Sequence, residues 1–285
     1  MNKRIKTLVL SLLLAALLGM IFWIVWGNTA LEISTYIVRS EHISEAFEGY
    51  RIVHISDLHN AQMGKDNRKL LEMIKEAKPD MIAITGDLID SRNTNIDVAL
   101  QFAEKAMEIA PCYYVTGNHE SRIPEYDRLK KGLIQLGVVV LENATAEIWR
   151  DQRKLVVMGI DDPGFLPEEW REDSASITQK QLEDLMEDKD SFTVLLSHRP
   201  EMFEIYVKSN VDLALSGHVH GGQFRLPIVG GVVSPNRELF PKYDAGMFVK
   251  KETIMVVSRG IGNSIIPFRI NNRPEVVLIE LTGKG

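Results

Sequence analysis

The 285-residue chain is long enough for one large domain with a full hydrophobic core. Hydrophobic residues make up 45% of it and charged residues 25%, which is ordinary for a globular protein and excludes general disorder. The net charge of -6 argues against a nucleic-acid-binding groove. The single cysteine, Cys112, excludes an internal disulfide and a cysteine-type structural zinc site. No obligate protein partner is inferred from the sequence.

The stretch 8–26 near the amino terminus is apolar and uncharged. As a helix rising ~1.5 Å per residue it is about 28 Å long, which matches the hydrocarbon core of a bilayer. Trp23 and Trp26 suit the interfacial belt of a resident membrane helix, and no small-residue cleavage pattern follows them. We therefore expect an uncleaved anchor over 8–26, with a cleaved signal peptide and a buried helix as the alternatives.

Positive charge precedes this apolar stretch. Lys3, Arg4 and Lys6 are the only charged residues before residue 32, and the segment after the stretch is mixed or acidic. The positive-inside rule then predicts a single-pass protein of the cell membrane, with its amino terminus in the cytoplasm and its main domain outside. The expected divisions are a basic tail (1–7), an anchor (8–26), a linker with an edge strand (27–48) and a globular domain (49–285).

The first half of the chain after the anchor alternates strand-like and helix-like patterns. We expect a half-exposed edge strand at 31–38, and buried strands at 51–55, 81–85 and 112–116. Amphipathic helices are predicted at 66–77, 95–109 and 125–136. This alternation predicts an α/β fold with a largely parallel sheet.

The pattern changes in the second half. Short apolar runs at 138–141, 147–149 and 155–160 predict a second sheet, in which the last two form a hairpin. A polar loop at 162–176, a helix at 178–187 and strands at 192–197, 213–216, 253–258 and 275–281 complete the expected elements. The Gly-rich, partly apolar segment 221–250 is either a lid or lipid-facing rim, or a long loop packed over the core.

Five of the expected strands end in similar polar side chains. Because the carboxyl ends of strands in α/β sheets are where sites form, we expect these side chains to converge. They are Asp57 and His59, Asp87, Asn118 and His119, His198, and His218 and His220. Of the two other histidines, His54 is expected to be a hydrogen-bonded core residue and His42 a solvated one.

Carboxylate and imidazole ligands in combination suit Mn, Fe or Zn. Two such ions ~3.5–4 Å apart need one shared anionic ligand, and together they activate a bridging water and neutralise charge on a phosphoryl group. The strand ends therefore predict a metal site, with a carboxylate as the natural ligand to share between two ions.

The motifs at these strand ends resemble those of the calcineurin-like metallophosphoesterase superfamily. All five motifs occur in order, so that the resemblance covers residues 50 to about 282; each motif is weak alone, but the set is specific. They are Asp57-Leu58-His59, Gly86-Asp87, Gly117-Asn118-His119-Glu120, His198 and Gly217-His218-Val219-His220. The apolar amino-terminal stretch and the sequence after Gly221 resemble the membrane-associated bacterial phosphodiesterase branch. The resemblance implies a four-layer α-β-β-α sandwich and metal-dependent phosphoric ester hydrolysis.

The resemblance also implies a role for each site residue. Asp57, His59 and His220 would hold one metal, with Asp87 as the bridge. Asn118, His198 and His218 would hold the second. His119 would face the substrate and either stabilise the phosphate or protonate the leaving oxygen, with Asp90 orienting it. Ser91 stands where the family has an arginine, which leaves three candidates for the cation that contacts phosphate: Arg92, Arg199 and Arg225.

The reaction implied is in-line attack by a metal-bridging hydroxide, without a covalent enzyme intermediate, on an envelope, lipid-headgroup or nucleotide phosphoester. One alternative is a lipid-linked pyrophosphatase similar to UDP-2,3-diacylglucosamine hydrolase, which the apolar segment 221–250 favours and the outward orientation opposes. Another is a non-catalytic metal-binding scaffold, which the complete ligand set opposes.

Overall fold

A computed structural model describes residues 3–186, 190–235, 238–263 and 266–283. The helices are α1 (Lys3–Thr29), α2 (Arg68–Glu76), α3 (Ile96–Met107), α4 (Tyr126–Gln135), α5 (Ser174–Leu185) and α6 (Phe203–Lys208). The strands are β1 (Glu32–Ser40), β2 (Arg51–Ile55), β3 (Met81–Thr85), β4 (Cys112–Val115), β5 (Val139–Val140), β6 (Ala144–Arg150), β7 (Arg153–Gly159), β8 (Phe192–Leu196), β9 (Leu213–Ser216), β10 (Arg225–Leu226), β11 (Gly230–Gly231), β12 (Gly246–Lys250), β13 (Thr253–Val257) and β14 (Glu275–Gly283).

The long strands form two six-stranded sheets. The first has the order β1-β14-β2-β3-β4-β5 and the second β12-β13-β9-β8-β7-β6. Pairing is parallel except at β14–β2, β12–β13 and β7–β6, so the expected largely parallel arrangement is confirmed. The expected edge strand is β1, which pairs with β14 at the edge of the first sheet.

The two sheets pack face to face. One hydrophobic cluster joins their inner faces, with Ile52 and Met81 from the first sheet and Val157 and Leu215 from the second. A second cluster packs α2, α3 and α4 on the outer face of the first sheet. A third packs α5 and α6 on the outer face of the second. Because β3 and β8 are buried on both sides, their residues form continuous apolar runs. The α/β four-layer fold is confirmed.

Two expectations about single elements need correction, and some short elements were not predicted. The run 138–141 contributes β5 to the first sheet, where it pairs with β4, and the second sheet begins with β6. Helix α5 begins at Ser174, four residues before the expected start and inside the expected loop; the expected end at Glu187 lies outside the described residues. The short helix α6 was not predicted, because its six residues hold too few turns for a clear periodic pattern. The strands β10, β11 and β12 were not predicted either, because they lie in the Gly-rich segment 221–250.

Helix α1 is long and apolar enough to cross a membrane, and none of its residues is buried. Its carboxyl-terminal end meets the domain. The Asn28 side chain accepts a hydrogen bond from the backbone N–H of Arg269 (2.7 Å) and donates one to the carbonyl of the same residue (3.0 Å). Strand β1 then follows almost at once, so the domain lies directly against the end of the helix.

Candidate metal centre

The polar strand ends meet at one edge of the sandwich. In the first sheet β2, β3 and β4 are neighbours, as are β8 and β9 in the second. Since the two sheets face each other, the segments that follow these five strands converge. The side chains predicted to form the site are all buried: Asp57, His59, Asp87, Asn118, His119, His198, His218 and His220.

Asp57, His59 and His220 form the first group of metal-ligand atoms. Asp57 Oδ1 lies 3.3 Å from His220 Nε2 and 3.8 Å from His59 Nε2. The two Nε2 atoms are 3.1 Å apart. Three potential ligand atoms therefore face one point, in the combination of one carboxylate and two imidazoles that the sequence predicted for the first metal.

Asp87 occupies the middle of the centre. Its Oδ2 lies 3.5 Å from His59 Nε2, 3.3 Å from His198 Nε2 and 4.0 Å from His119 Nε2. It therefore reaches both the first group of ligands and His198, which comes from the second sheet. A carboxylate in this position is suited to be shared between two cations.

Three buried polar atoms at the centre, His59 Nδ1, His198 Nε2 and Asn118 Oδ1, make no hydrogen bond within the described residues, although His198 Nε2 lies 3.3 Å from the Asp87 carboxylate. Such atoms are uncommon in folded proteins, where buried polar groups are paired. His198 Nδ1 is engaged with the carbonyl of Thr85 (2.7 Å), which leaves Nε2 as the ligand atom. The residues present therefore fit a bound cation.

His218 lies beside these groups, with its ring centroid 5.0 Å from that of His198, but it is not a member of the three ligand groups that the described residues form. Its Nε2 is 2.9 Å from Arg199 Nη1, and Arg199 also binds both carboxylate oxygens of Asp162 (2.5 and 3.1 Å). Because a guanidinium only donates, His218 Nε2 is the acceptor. Of the three candidate cations, Arg199 is the one in contact with a predicted ligand; Arg92 binds Asp90 and Arg225 binds Asp244.

The electrostatics of the centre favour a cation. Burial raises the pKa of Asp57, but His220 and His59 outweigh burial and hold that pKa well below its usual range. Asp87 is likewise ionised, because His198 and His59 lower its pKa more than burial raises it. Burial lowers the pKa of His198, yet Asp87 and Asp57 raise it to about 10. In the absence of a cation His198 therefore keeps a proton, which metal binding must displace.

The Nδ1 atom of His119 has two neighbours. It accepts the backbone N–H of Ser91 at 3.0 Å, while the Asp90 carboxylate lies 3.6 Å away, beyond a hydrogen bond, and binds Arg92 instead. Burial lowers the pKa of His119 to about 4, so the ring is neutral. Since Nδ1 accepts, the proton is on Nε2, the atom that faces Asp87.

Glu120 is a residue of the centre to which sequence reasoning assigned no role. Its buried carboxylate accepts the backbone N–H groups of Asp87 and Gly117 (both 2.9 Å) and of Leu88 (2.8 Å). It therefore holds the segments after β3 and β4 together. The signal for this residue was its place directly after Asn118 and His119.

The backbone at five of the predicted ligands is in the left-handed region, which is unfavourable for residues with a side chain. The φ angles are 53° at Asp57, 45° at His59, 52° at Asp87, 69° at His218 and 51° at His220. Backbone strain of this kind persists where surrounding structure enforces it, as it does at functional sites.

The four-layer sandwich and the Asp, Asn and His residues at its strand ends define a metal-dependent phosphoester hydrolase. The sequence profile of the family described as calcineurin-like phosphoesterase matches residues 50–222, more than half of the chain. The chain belongs to this family, as the motifs indicated.

Curated relatives agree with this assignment. An uncharacterized metallophosphoesterase of Aquifex aeolicus is 30% identical, over 90% of this chain and 93% of that protein. The phosphodiesterase YaeI of Escherichia coli is 27% identical, over 81% of this chain and 82% of that protein. A transmembrane protein with a metallophosphoesterase domain from Danio rerio is 26% identical over 96% of this chain, which spans only 62% of that relative's length.

Proposed function

We propose that this chain is a phosphodiesterase that works with two divalent cations, Mn, Fe or Zn. The observation that carries the proposal is the position of Asp87 between His59 and His198, 3.5 and 3.3 Å from their Nε2 atoms. One cation is assigned to the group Asp57, His59 and His220, and Asp87 is the shared ligand. The cations, when bound, activate water and neutralise charge on the phosphoryl group.

The second cation is assigned to Asn118, His198 and His218. His218 ligates through Nδ1 in this proposal, because its Nε2 faces Arg199. With Nδ1 holding a cation, the ring proton would be on Nε2, which would then not accept from Arg199 Nη1, while Nε and Nη2 would stay bound to Asp162. We assign Arg199 Nη1 to the phosphate of the substrate.

His119 is assigned as the hydrogen-bond donor to the leaving oxygen. Its Nε2–H is on the side of Asp87, and the N–H of Ser91 fixes the tautomer. Water adds to phosphorus and the bond from phosphorus to the leaving oxygen breaks. The Nε2–H donates a hydrogen bond that stabilises the charge on that oxygen, which takes up the proton that the water loses, so the ring stays neutral. Asp90, 3.6 Å from Nδ1, is assigned to orient the ring.

The proposed site of action is the outer face of the cell membrane. Lys3, Arg4 and Lys6 before α1 support this orientation, and the name of the Danio rerio relative supports a membrane location. The substrate in this proposal is an envelope, lipid-headgroup or nucleotide phosphodiester. An opposite orientation would favour the lipid-linked pyrophosphatase.

The test compares bis-p-nitrophenyl phosphate with p-nitrophenyl phosphate, using the full chain in detergent with Mn, Zn or Mg. We expect Asp87→Asn to lower kcat by about a thousandfold or more and to weaken metal binding. His119→Ala is expected to lower kcat by about 10²–10⁴-fold while metal binding persists. Asp97→Asn, at an exposed position on α3, is the matched control. Wild-type protein that binds metal but cleaves neither compound would contradict the proposal and favour a scaffold.

A further inference from the structure

Six large apolar side chains near the metal centre are exposed to solvent. We call them the apolar rim: Leu226, Ile228, Val229, Leu239, Phe240 and Phe268. Ile228 is at the tip of the hairpin between β10 and β11 and is fully exposed (107%). The hairpin is joined to the rest of the rim, since Phe240 N–H donates to Val232 and the rings of Phe224 and Phe268 are 5.6 Å apart. A cluster of this kind marks an interaction surface.

The apolar rim begins at the metal centre. Gly222 lies two residues after the predicted ligand His220, and its carbonyl accepts the backbone N–H of Val232, directly after the hairpin (3.1 Å). On the other side, Asn272 Nδ2 donates to the carbonyl of His220 (2.7 Å). A molecule held at the rim is therefore adjacent to the ligands.

The apolar rim is also joined to the end of α1. The N–H of Arg225, where the hairpin starts, donates to the carbonyl of Ile270 (3.0 Å). Ile270 in turn lines a cavity of about 230 Å³ together with Trp23 and Trp26 of α1. The Arg273 guanidinium lies 4.9 Å from the ring centre of Trp26. Trp residues at the end of an apolar helix belong at the bilayer surface, so the rim is at that surface too.

We propose that the apolar rim inserts into the surface of the bilayer that α1 spans, and that the substrate is a phosphodiester lipid of this bilayer. The proposal rests on the proposed function and names its substrate class. The bilayer is chosen as the occupant because the rim is continuous with the end of the helix that would anchor the chain. The rim lifts the diester of a lipid headgroup to His220 without removing the acyl chains from the membrane.

Insertion is tested with the full chain in vesicles of phosphatidylethanolamine and phosphatidylglycerol that contain a nitroxide-labelled lipid. Ile228→Cys carries an environment-sensitive fluorophore; the native Cys112 is buried and stays in place. Ile134→Cys, on an exposed position of α4, is the matched control. We expect the nitroxide lipid to quench the label at 228 but not at 134. Equal quenching at both positions, or cross-linking of two copies through 228, overturns the proposal.

The substrate class is tested with Ile228→Asp combined with Val229→Asp. We expect kcat/KM for phospholipid headgroup release to fall by about tenfold or more, while hydrolysis of bis-p-nitrophenyl phosphate is unchanged. Ile134→Asp should alter neither. If wild type cleaves the soluble diester but no phospholipid, the lipid substrate is overturned and the proposed function stands. If wild type cleaves neither, the proposed function fails, and quenching still decides whether the rim inserts.

Discussion

At the scale of single residues, the centre is shaped by buried groups that act through their neighbours. The carboxylate of Glu120 binds backbone N–H groups of Asp87, Leu88 and Gly117, and so determines where the Asp87 side chain lies. The N–H of Ser91 sets the tautomer of His119. These contacts position the side chains of Asp87 and His119, and Glu120 and the Ser91 N–H act only through those neighbours.

The first prediction concerns Glu120→Gln. An amide offers one acceptor oxygen, so its NH₂ group faces at least one of the N–H groups that the carboxylate now binds, and that donor is left unpaired. We expect the free energy of unfolding to fall by about 1–3 kcal/mol and metal affinity to fall with it. Urea unfolding with EDTA, and calorimetric metal titration, measure the two effects. Glu104→Gln, exposed on α3, is the control, and equal stability of the two variants would contradict the role of Glu120.

The second prediction concerns His54, which is buried and bonded through Nε2 to Thr85 Oγ1 (2.7 Å). Burial lowers its pKa from 6.5 to about 3. The unfolded chain therefore binds a proton that the folded chain does not, and the free energy of unfolding falls as the pH drops from 6.5 toward 3, by up to about 1.4 kcal/mol per pH unit.

Unfolding measured in EDTA between pH 7 and the onset of acid denaturation tests this prediction. We expect His54→Gln to show a shallower fall in stability with falling pH than wild type. The same slope in wild type and His54→Gln would mean that His54 does not contribute.

At the scale of elements, the site depends on how closely the two sheets approach. Strand β7 ends at Gly159, where a side chain would overlap with residues Val115 and Leu141. A Cβ atom there would be 2.2 Å from Leu141 Cβ, 2.7 Å from Val115 Cγ1 and 2.8 Å from the Leu141 carbonyl oxygen. The glycine thus permits contact between the sheets close to where β4 and β8 deliver their polar ends.

The third prediction is that Gly159→Ala destabilises the protein by about 1–3 kcal/mol. One of the overlapping atoms is a backbone oxygen, so a change of side-chain rotamer does not relieve the overlap. Thermal and urea unfolding measure this. Gly19→Ala makes the same chemical change in α1, where a Cβ atom meets no atom within 4 Å, and should be near neutral. A neutral Gly159→Ala would mean that the sheets are free to separate slightly.

At the scale of the whole molecule, the end of α1 and the metal centre are neighbours. Arg269 contacts Asn28 of α1 through its backbone, and its side chain reaches His220 Nδ1 at 3.3 Å. The end of α1 and the metal centre are therefore parts of one region. Which compartment this region faces decides which substrates it meets.

The fourth prediction is that the carboxyl terminus lies outside the cytoplasm. The three positive charges before α1 set this orientation, since the positive-inside rule keeps them in the cytoplasm. A periplasmic-type phosphatase fused after the last residue should be active, and a fluorescent protein that folds only in the cytoplasm should be dark. Replacing Lys3, Arg4 and Lys6 with Glu should shift molecules toward the reverse orientation. A fluorescent wild-type fusion would revive the lipid-linked pyrophosphatase.

The amino-acid sequence alone determined the α/β class, the strands β2, β3, β8 and β9, and the polar residues that follow them. These features depend on local pattern, since an apolar run that is buried on both faces can be recognised without its partners. The five motifs were recognisable because each is a short run of neighbouring residues, which is also a local pattern. The residues that meet at the centre are the ones that the motifs named.

Only the tertiary structure decided which groups those residues touch. It placed β5 in the first sheet, gave His119 Nδ1 the backbone N–H of Ser91, and joined Arg199 to Asp162 and His218. It also placed the apolar rim beside the end of α1. Each of these contacts joins residues far apart in the chain, or uses a backbone group that every residue carries. Local sequence pattern holds no signal for such contacts, because they exist only once the sheets have packed.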